Sequence, residues 1–410
     1  MPESSKYNHR HLYITAIIIW LLGIGLMPEF CHGWDNYCWG YWSEIIHNKG
    51  LTAVYADKSP INYPPLFIYI LKAYSTLAPD ANFFKYTYCL KALTWAFDVG
   101  SLILICKCLP KQSKTWHYLL ISALSPAWFY NTMIWNQVDG ILAFWVLLAI
   151  LMAFKGQAKW AIIACIMALN FKIQAIVSLP LIGLICLYNK DYKGLLLGGL
   201  IGLILQILIL SPFIYIGQVD RVWLMATGSM DYFPYVSMNA HNLWHIVFNG
   251  DLTHMPDAQI IAFGLSLKTI GLLLFFVSSA IILWPLIIGI IKSYRTIPSE
   301  RISLNLEAIL LINCLISFVF FYFNTQMHER YIHPAIISSL ALAIIYRHWW
   351  QWILLGLTYF FSLESLLQFL GLHIYHTAVF HPKAIAVLYG TTAIYWTYLF
   401  IKTPLFKKAT

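Results

Sequence analysis

Asp35 stands among the rings of Trp34, Tyr37, Trp39, Tyr41 and Trp42. A carboxylate bordered by rings near a dry interface has reason to carry a tuned proton affinity, and it could take a proton from a hydroxyl. Rings also stack on the apolar faces of sugars. The same acid precedes a helix-like stretch, Tyr37 to His47, so a helix cap or a solvated loop acid explains it as well. Glu44 and Asp57 follow in the same polar segment, which runs from Pro28 to Pro65 between oily stretches.

A second cluster, Asn136-Gln137-x-Asp139, falls between two apolar runs, where a charge needs a cationic partner or a cavity. Lys172 and Gln174 lie in a similarly apolar setting. Lys172 could pair with Asp98, contact a phosphate, or snorkel to the interface. The third cluster, Gln326-Met327-His328-Glu329-Arg330-Tyr331, opens an apolar helix. Arg330 offers a forked donor suited to phosphate oxygens, His328 adds a donor or a proton, and Glu329 could fix either one. An interface anchor with a local ion pair is the plainer account of the same residues. His241 and His245 share a helical face at i, i+4, but no acid stands at ligand spacing, which disfavours a metal site there.

These clusters need elements to hold them. The 410 residues are 60% hydrophobic and only 10% charged, against roughly 25% charged in a soluble domain. So few charges cannot cover a water-facing surface, and the chain reads as a polytopic membrane protein. The net charge of +9 fits a positive-inside bias, and no basic patch supports nucleic-acid binding. Threading by that bias predicts an all-α bundle of about 12 transmembrane helices (range 10–14). They fall near 12–28, 88–106, 117–135, 140–154, 159–175, 176–188, 194–216, 260–291, 304–323, 332–346, 349–367 and 384–401.

Both termini then face the cytoplasm, and all three polar clusters face the other side. Residues 1–410 read as a single domain, with a first outer loop at 29–87 carrying short interfacial helices and a second large outer loop at 217–259. Residues 63–78 are read as a helix lying in the interface, opened by Pro64 and Pro65, rather than a full span. The stretch 260–291 is longer than one span needs, which predicts a helix tilted or broken near Pro285. Cys31 and Cys38 share the first loop and could form a disulfide if it faces an oxidising space.

In chain order the motifs are GWDNYCWGYWSEI, Ala53-Val54-Tyr55, Asn62-Tyr63-Pro64-Pro65-Leu66 and Trp135-Asn136-Gln137-x-Asp139. Phe171-Lys172-x-Gln174, Ser237-x-Asn239-Ala240-x-Asn242-Leu243-Trp244 and His328-Glu329-Arg330-Tyr331 complete the series. Each is short and degenerate, but their joint order over almost the whole chain resembles the GT-C superfamily of integral-membrane glycosyltransferases. The nearest flavour is the prokaryotic group related to the GPI mannosyltransferases.

The resemblance implies an inverting transfer of a sugar, mannose first, from a polyprenyl-phosphate donor to a hydroxyl of a lipid-linked or glycolipid acceptor. It implies Asp35 as general base, with Arg330 and His328, aided by Lys172, holding the donor phosphate. Glu44, Asp57, Tyr63, Gln137, Asp139, Gln174, Asn239, Asn242, Trp244, Glu329 and Tyr331 would support the site or touch substrate. Some relatives use paired acids to hold a divalent cation such as Mg or Mn; this loop has Asp35-Asn36, which leaves metal use open. The expected setting is a bacterial inner membrane with a periplasmic active side, the protein acting as a monomer among membrane lipids. Two other classes compete. A transporter or flippase of lipid-linked sugars would show inverted halves with matched broken helices. A polysaccharide polymerase or ligase using diphosphate-linked donors would carry Arg-rich outer loops. Neither pattern is evident.

Overall fold

The computed structural model describes residues 10–56, 61–78, 82–109, 118, 125–228, 231–295, 302–374 and 377–408. Helix α1 (Arg10–Gly25) leads to α2 (Gly33–Lys49), α3 (Ala53–Ala56) and α4 (Pro65–Leu77). Then come α5 (Lys91–Cys106), α6 (Pro126–Phe129) continued by a π-helical turn at Tyr130–Ile134, α7 (Asp139–Phe154) and α8 (Ala158–Phe171). A 3-10 turn at Ile173–Ser178 joins α8 to α9 (Leu179–Asn189), which is followed by α10 (Tyr192–Tyr215), α11 (Val219–Gly228) and α12 (Leu243–Val247). Strands β1 (Ile260–Ala262) and β2 (Leu265–Ser266) pair antiparallel before α13 (Leu267–Arg295). Strand β3 (Ile302–Leu304) precedes α14 (Leu306–Phe323), α15 (His333–Tyr346), α16 (Trp349–Leu367) and α17 (Pro382–Lys402), and it pairs with the terminal β4 (Phe406–Lys408).

Helices α7, α14 and α15 form the centre. Their side chains are buried nearly all round, as expected for helices that are apolar on every face. Helix α7 packs on α5, α8, α9 and α15, and its first residue, Asp139, is buried. Helices α10 and α13 lie at the periphery and expose rows of Leu, Ile and Phe, the surface a lipid environment would cover.

Among the described residues five helices are long and apolar enough to cross a membrane: Thr87–Cys106, α10, α13, α14 and α17. Several other apolar helices, including α1, α7, α8 and α15, are shorter. The result is an all-α, multi-pass architecture. Helix α4 has 13 residues, about 20 Å of length against a hydrocarbon core of about 30 Å. It opens with Pro65 at the first helical turn, where the missing N–H is not needed, and packs on α2 and α8.

Two boundaries differ from the sequence reading. The stretch read as one span over 159–175 breaks at Lys172, whose backbone is extended. The buried ammonium there pairs with a carboxylate on α7. The stretch 260–291 begins with the β1–β2 hairpin, because Phe263 and Gly264 take positive φ and turn the chain back. Helix α13 therefore starts at Leu267 and carries Pro285 inside it. Residues 117 and 119–124 of the span read at 117–135 lie outside the described residues, and its visible end is α6 with the π-helical turn.

Candidate active site

The site forms where several helices start or stop at the same end of the bundle. Asp35 lies in the first turn of α2, an acid at a helix N-terminus, where the helix dipole favours its charge. Its Oδ2 accepts hydrogen bonds from Gln137 Nε2 at 2.6 Å and Trp135 Nε1 at 2.8 Å, and lies 3.0 Å from His32 Nδ1. At that distance His32 Nδ1 must carry a proton. The longer contact of 3.5 Å from the Asp35 backbone N–H to the same nitrogen is then not a second hydrogen bond. The His32 ring also stacks on Trp135, with centroids 4.7 Å apart. Oδ1 accepts no hydrogen bond among the described residues and faces Arg330 Nη2 at 4.0 Å.

The segment 135–138 presents both donors. Asn136 has φ 73°, a left-handed conformation uncommon for a residue with a side chain. Its amide holds the turn by donating to the Thr87 carbonyl at 3.1 Å. Gln137 is fixed from two sides. Its backbone N–H donates to Asn131 O at 3.1 Å, and the Tyr63 hydroxyl donates to its Oε1 at 3.4 Å. Tyr63, Gln137 and Asp35 thus form one chain of contacts.

Arg330 sits between three carboxylates. Nη1 donates to Glu329 Oε1 at 2.7 Å, Nη2 lies 4.0 Å from Asp35, and Nε lies 3.9 Å from Asp139 Oδ2. The guanidinium also lies 6.0 Å from the centre of the Trp135 ring. Asp139, the first residue of α7, is ion-paired through Oδ1 to Lys172. Lys172 therefore meets Asp139 and not Asp98; the Asp98 carboxylate instead accepts from Thr132 Oγ1 at 2.6 Å. Lys172 Nζ lies 5.5 Å and 6.0 Å from the ring centres of Tyr63 and Tyr331. The Gln174 side chain reaches the Tyr331 hydroxyl.

Electrostatics sort these groups. Burial pushes the Asp35 carboxyl up, but Arg330, the hydrogen bond and charge of His32, and the Trp135 indole outweigh it. The net shift is downward, so Asp35 is ionised at neutral pH. Burial, reinforced by Arg330, pushes His328 well below its ordinary range. His328 is therefore neutral and can donate a hydrogen bond but supplies no charge. Burial raises Glu329, partly opposed by Arg330.

The second loop packs against this cluster through its backbone. Met238 N–H donates to Met327 O at 2.9 Å and Gln326 N–H to Tyr235 O at 3.0 Å, while Asn239 bridges to His328. Asn239 and Gln326 both have positive φ, so together with Asn136 they make three strained turns around one site. Asn242 donates to Phe321 O and Asn324 O, each at 3.2 Å, and Trp244 Nε1 to Phe323 O at 3.1 Å. These bonds satisfy the free carbonyls at the C-terminal end of α14. His241 Nδ1 lies 2.8 Å from Ser362 Oγ, and burial holds both His241 and His245 low, at about 3 and about 4.

Glu44 lies nine residues beyond Asp35 on α2, about 13 Å along the axis, and is not brought to the cluster. Asp57 lies outside the described residues. Cys31 and Cys38 are both free thiols; Cys38 is buried in α2, and Asn136 Nδ2 lies 3.4 Å from Cys31 Sγ. Two contributors escaped the sequence reading, His32 and the Trp135 indole. A histidine three residues before an acid at a helix start was the available signal.

Among the described residues no group of three or more His, Cys, Asp or Glu side chains is arranged to hold a metal ion. Asp35 Oδ2 already faces three donors, Asp139 holds Lys172, and Glu329 holds Arg330. A divalent cation among these acids would stand against Arg330 and Lys172. The donor set does not fit one, and no step below uses it.

Broken helices, an oriented carboxylate and a buried guanidinium at one end of a multi-pass bundle define a membrane enzyme. A family model described as ALG3 protein matches residues 34–226, a span that holds Asp35, Tyr63, Gln137, Asp139, Lys172 and Gln174. Over those residues the chain is similar to the ALG3 family, a likeness that supports a glycosyltransferase domain of the GT-C type. No curated protein sequence matches it.

Proposed function

We propose that the protein transfers a sugar, mannose first, from a polyprenyl-phosphate donor to a hydroxyl of a lipid-linked or glycolipid acceptor, with inversion. The observation that carries this reading is the two-sided setting of Asp35. Three donors converge on Oδ2 while Oδ1 stays open, 4.0 Å from Arg330. A base held by one oxygen presents the other in a fixed direction.

In the step, Asp35 Oδ1 takes the acceptor hydroxyl proton and the acceptor oxygen bonds to the anomeric carbon. The bond from that carbon to the phosphate oxygen breaks, and the electron pair leaves with polyprenyl phosphate. Arg330 neutralises the leaving phosphate through its fork, Lys172 adds charge from the Asp139 side, and neutral His328 donates a hydrogen bond. Asp139 and Gln137 orient these groups, and the rings of Tyr63 and Tyr331, the latter held by Gln174, flank Lys172. Asn239 shapes the loop over it. We place the site on the periplasmic side of a bacterial inner membrane, with a single chain sufficient for turnover.

The test is transfer from radiolabelled undecaprenyl-phosphate mannose, glucose and galactose to extracted cell glycolipids by the purified protein, with a chelator arm. Label moved from a monophosphate donor, with the opposite anomeric configuration in the product and no effect of chelator, is expected. A retained configuration, or transfer only from diphosphate-linked sugars, would reject the reading.

A further inference from the structure

Three carboxylates and two permanent cations share one buried cluster. Glu329 and Asp139 are each 2% exposed, Lys172 is 5% and Arg330 is 8% exposed. With His32 beside Asp35 counted as charged, the cluster is neutral; with His32 neutral it is negative. Either way it has no spare positive charge for a phosphodiester, which brings one more negative charge.

The best-made contact of Arg330 is with Glu329, at 2.7 Å. Its other contacts to acids are 3.9 Å and 4.0 Å. Arg330 Nε and Asp139 Oδ2 are both buried without a hydrogen-bond partner. The guanidinium is therefore fully engaged at one edge and unsatisfied at another. A carboxylate oxygen occupies one prong of the guanidinium fork.

We propose that Glu329 is a stand-in anion: it holds Arg330 in the empty site, the donor phosphate displaces it, and it leaves the ion pair by taking up a proton from solvent. This rests on the reading of Arg330 as a donor-phosphate ligand. Charge accounts for the choice of Glu329. Asp35 keeps its three donors and Asp139 keeps Lys172 when Arg330 turns to the phosphate. Glu329 has Arg330 on one side and His328 Nδ1 3.9 Å away on the other. Among the described residues its own backbone N–H also favours its charge, while Asp35 and the hydroxyls of Tyr331, Tyr359 and Tyr389 supply no positive charge. A buried carboxylate stripped of its only cation neutralises instead of staying ionised. Burial already biases Glu329 upward with Arg330 in place, and removing Arg330 takes away the largest opposing influence and leaves its own backbone N–H against that bias.

The test is calorimetric titration of the full protein in detergent with farnesyl-phosphate mannose, without acceptor, in buffers of different ionisation enthalpy. About one proton should be taken up per donor near neutral pH, and donor affinity should weaken about tenfold per pH unit as pH rises through that range. Glu329→Gln should bind donor with little pH dependence and no proton uptake. Wild-type binding with no proton uptake would overturn the proposal, and so would an unchanged uptake in Glu329→Gln. Arg330→Gln separates the two layers. If it binds donor as tightly as wild type, the phosphate reading itself fails. If it loses binding while wild type takes up no proton, only the stand-in role fails.

Discussion

The indole of Trp135 donates to Asp35 at 2.8 Å across 100 residues of sequence, and the Gln137 amide reaches the same oxygen at 2.6 Å. Both donors come from one turn, 135–138, whose shape depends on the left-handed Asn136. Their removal should act on the base and spare the donor site.

Trp135→Phe and Gln137→Leu should each lower kcat by about tenfold or more, with little change in donor KM, since each takes one hydrogen bond from an ionised group. The Trp135 indole is among the groups that hold the Asp35 carboxyl down, so losing it moves the pKa up. The acid limb of the pH–rate profile should shift to higher pH in Trp135→Phe. An unshifted limb with reduced donor affinity would place Trp135 in substrate binding instead.

Lys172→Met should leave the Asp139 carboxylate buried without its ammonium partner, a loss of about 3–5 kcal/mol. Lys172→Met combined with Asp139→Leu should recover much of that stability while remaining inactive. Thermal unfolding of the purified variants in detergent checks this. A double variant no more stable than Lys172→Met would refute the pairing.

Gly140 follows Asp139, and a Cβ there would stand 2.1 Å from Asp98 Oδ1. Gly140→Ala should cost about 1–3 kcal/mol and displace the start of α7, lowering both Tm and turnover. Adding Asp98→Ala to Gly140→Ala should relieve part of the clash. An undisturbed Tm in Gly140→Ala would show that α7 and α5 pack less closely.

Asn242 donates to two carbonyls at the end of α14. Asn242→Ala should lower stability by about 1–3 kcal/mol and leave donor KM within about twofold. A large rise in KM without loss of stability would return Asn242 to the substrate-contact role that the family resemblance implies.

Much of the cluster is legible in the sequence. Asp35, Asp139, Lys172 and Arg330 stand out because charges in apolar surroundings are rare and expensive, and the structure gathers all four. Spacing does not carry direction. Lys172 had Asp98 and a phosphate as prospective partners, and the extended break at 172 turns it to Asp139. His32 and Trp135 look like ordinary loop and helix-end aromatics until the backbone bond from His32 N–H to Trp135 O, 3.1 Å, sets them face to face. Asn242 and Trp244 read as residues that support the site or touch substrate, and their polar atoms go to helix-end carbonyls. Main-chain satisfaction at a helix end depends on tertiary docking, which has no local signature.

The most direct test of the central claim is single-turnover transfer by Asp35→Asn with bound polyprenyl-phosphate mannose, with donor affinity measured on the same protein. The amide can still accept from Trp135 and Gln137 but cannot take the acceptor proton. The prediction is a fall in transfer of about 10²–10⁴-fold, with donor bound as tightly as by wild type or more so. Transfer within a few fold of wild type, from a folded variant that binds donor normally, would contradict the assignment of Asp35 as the base.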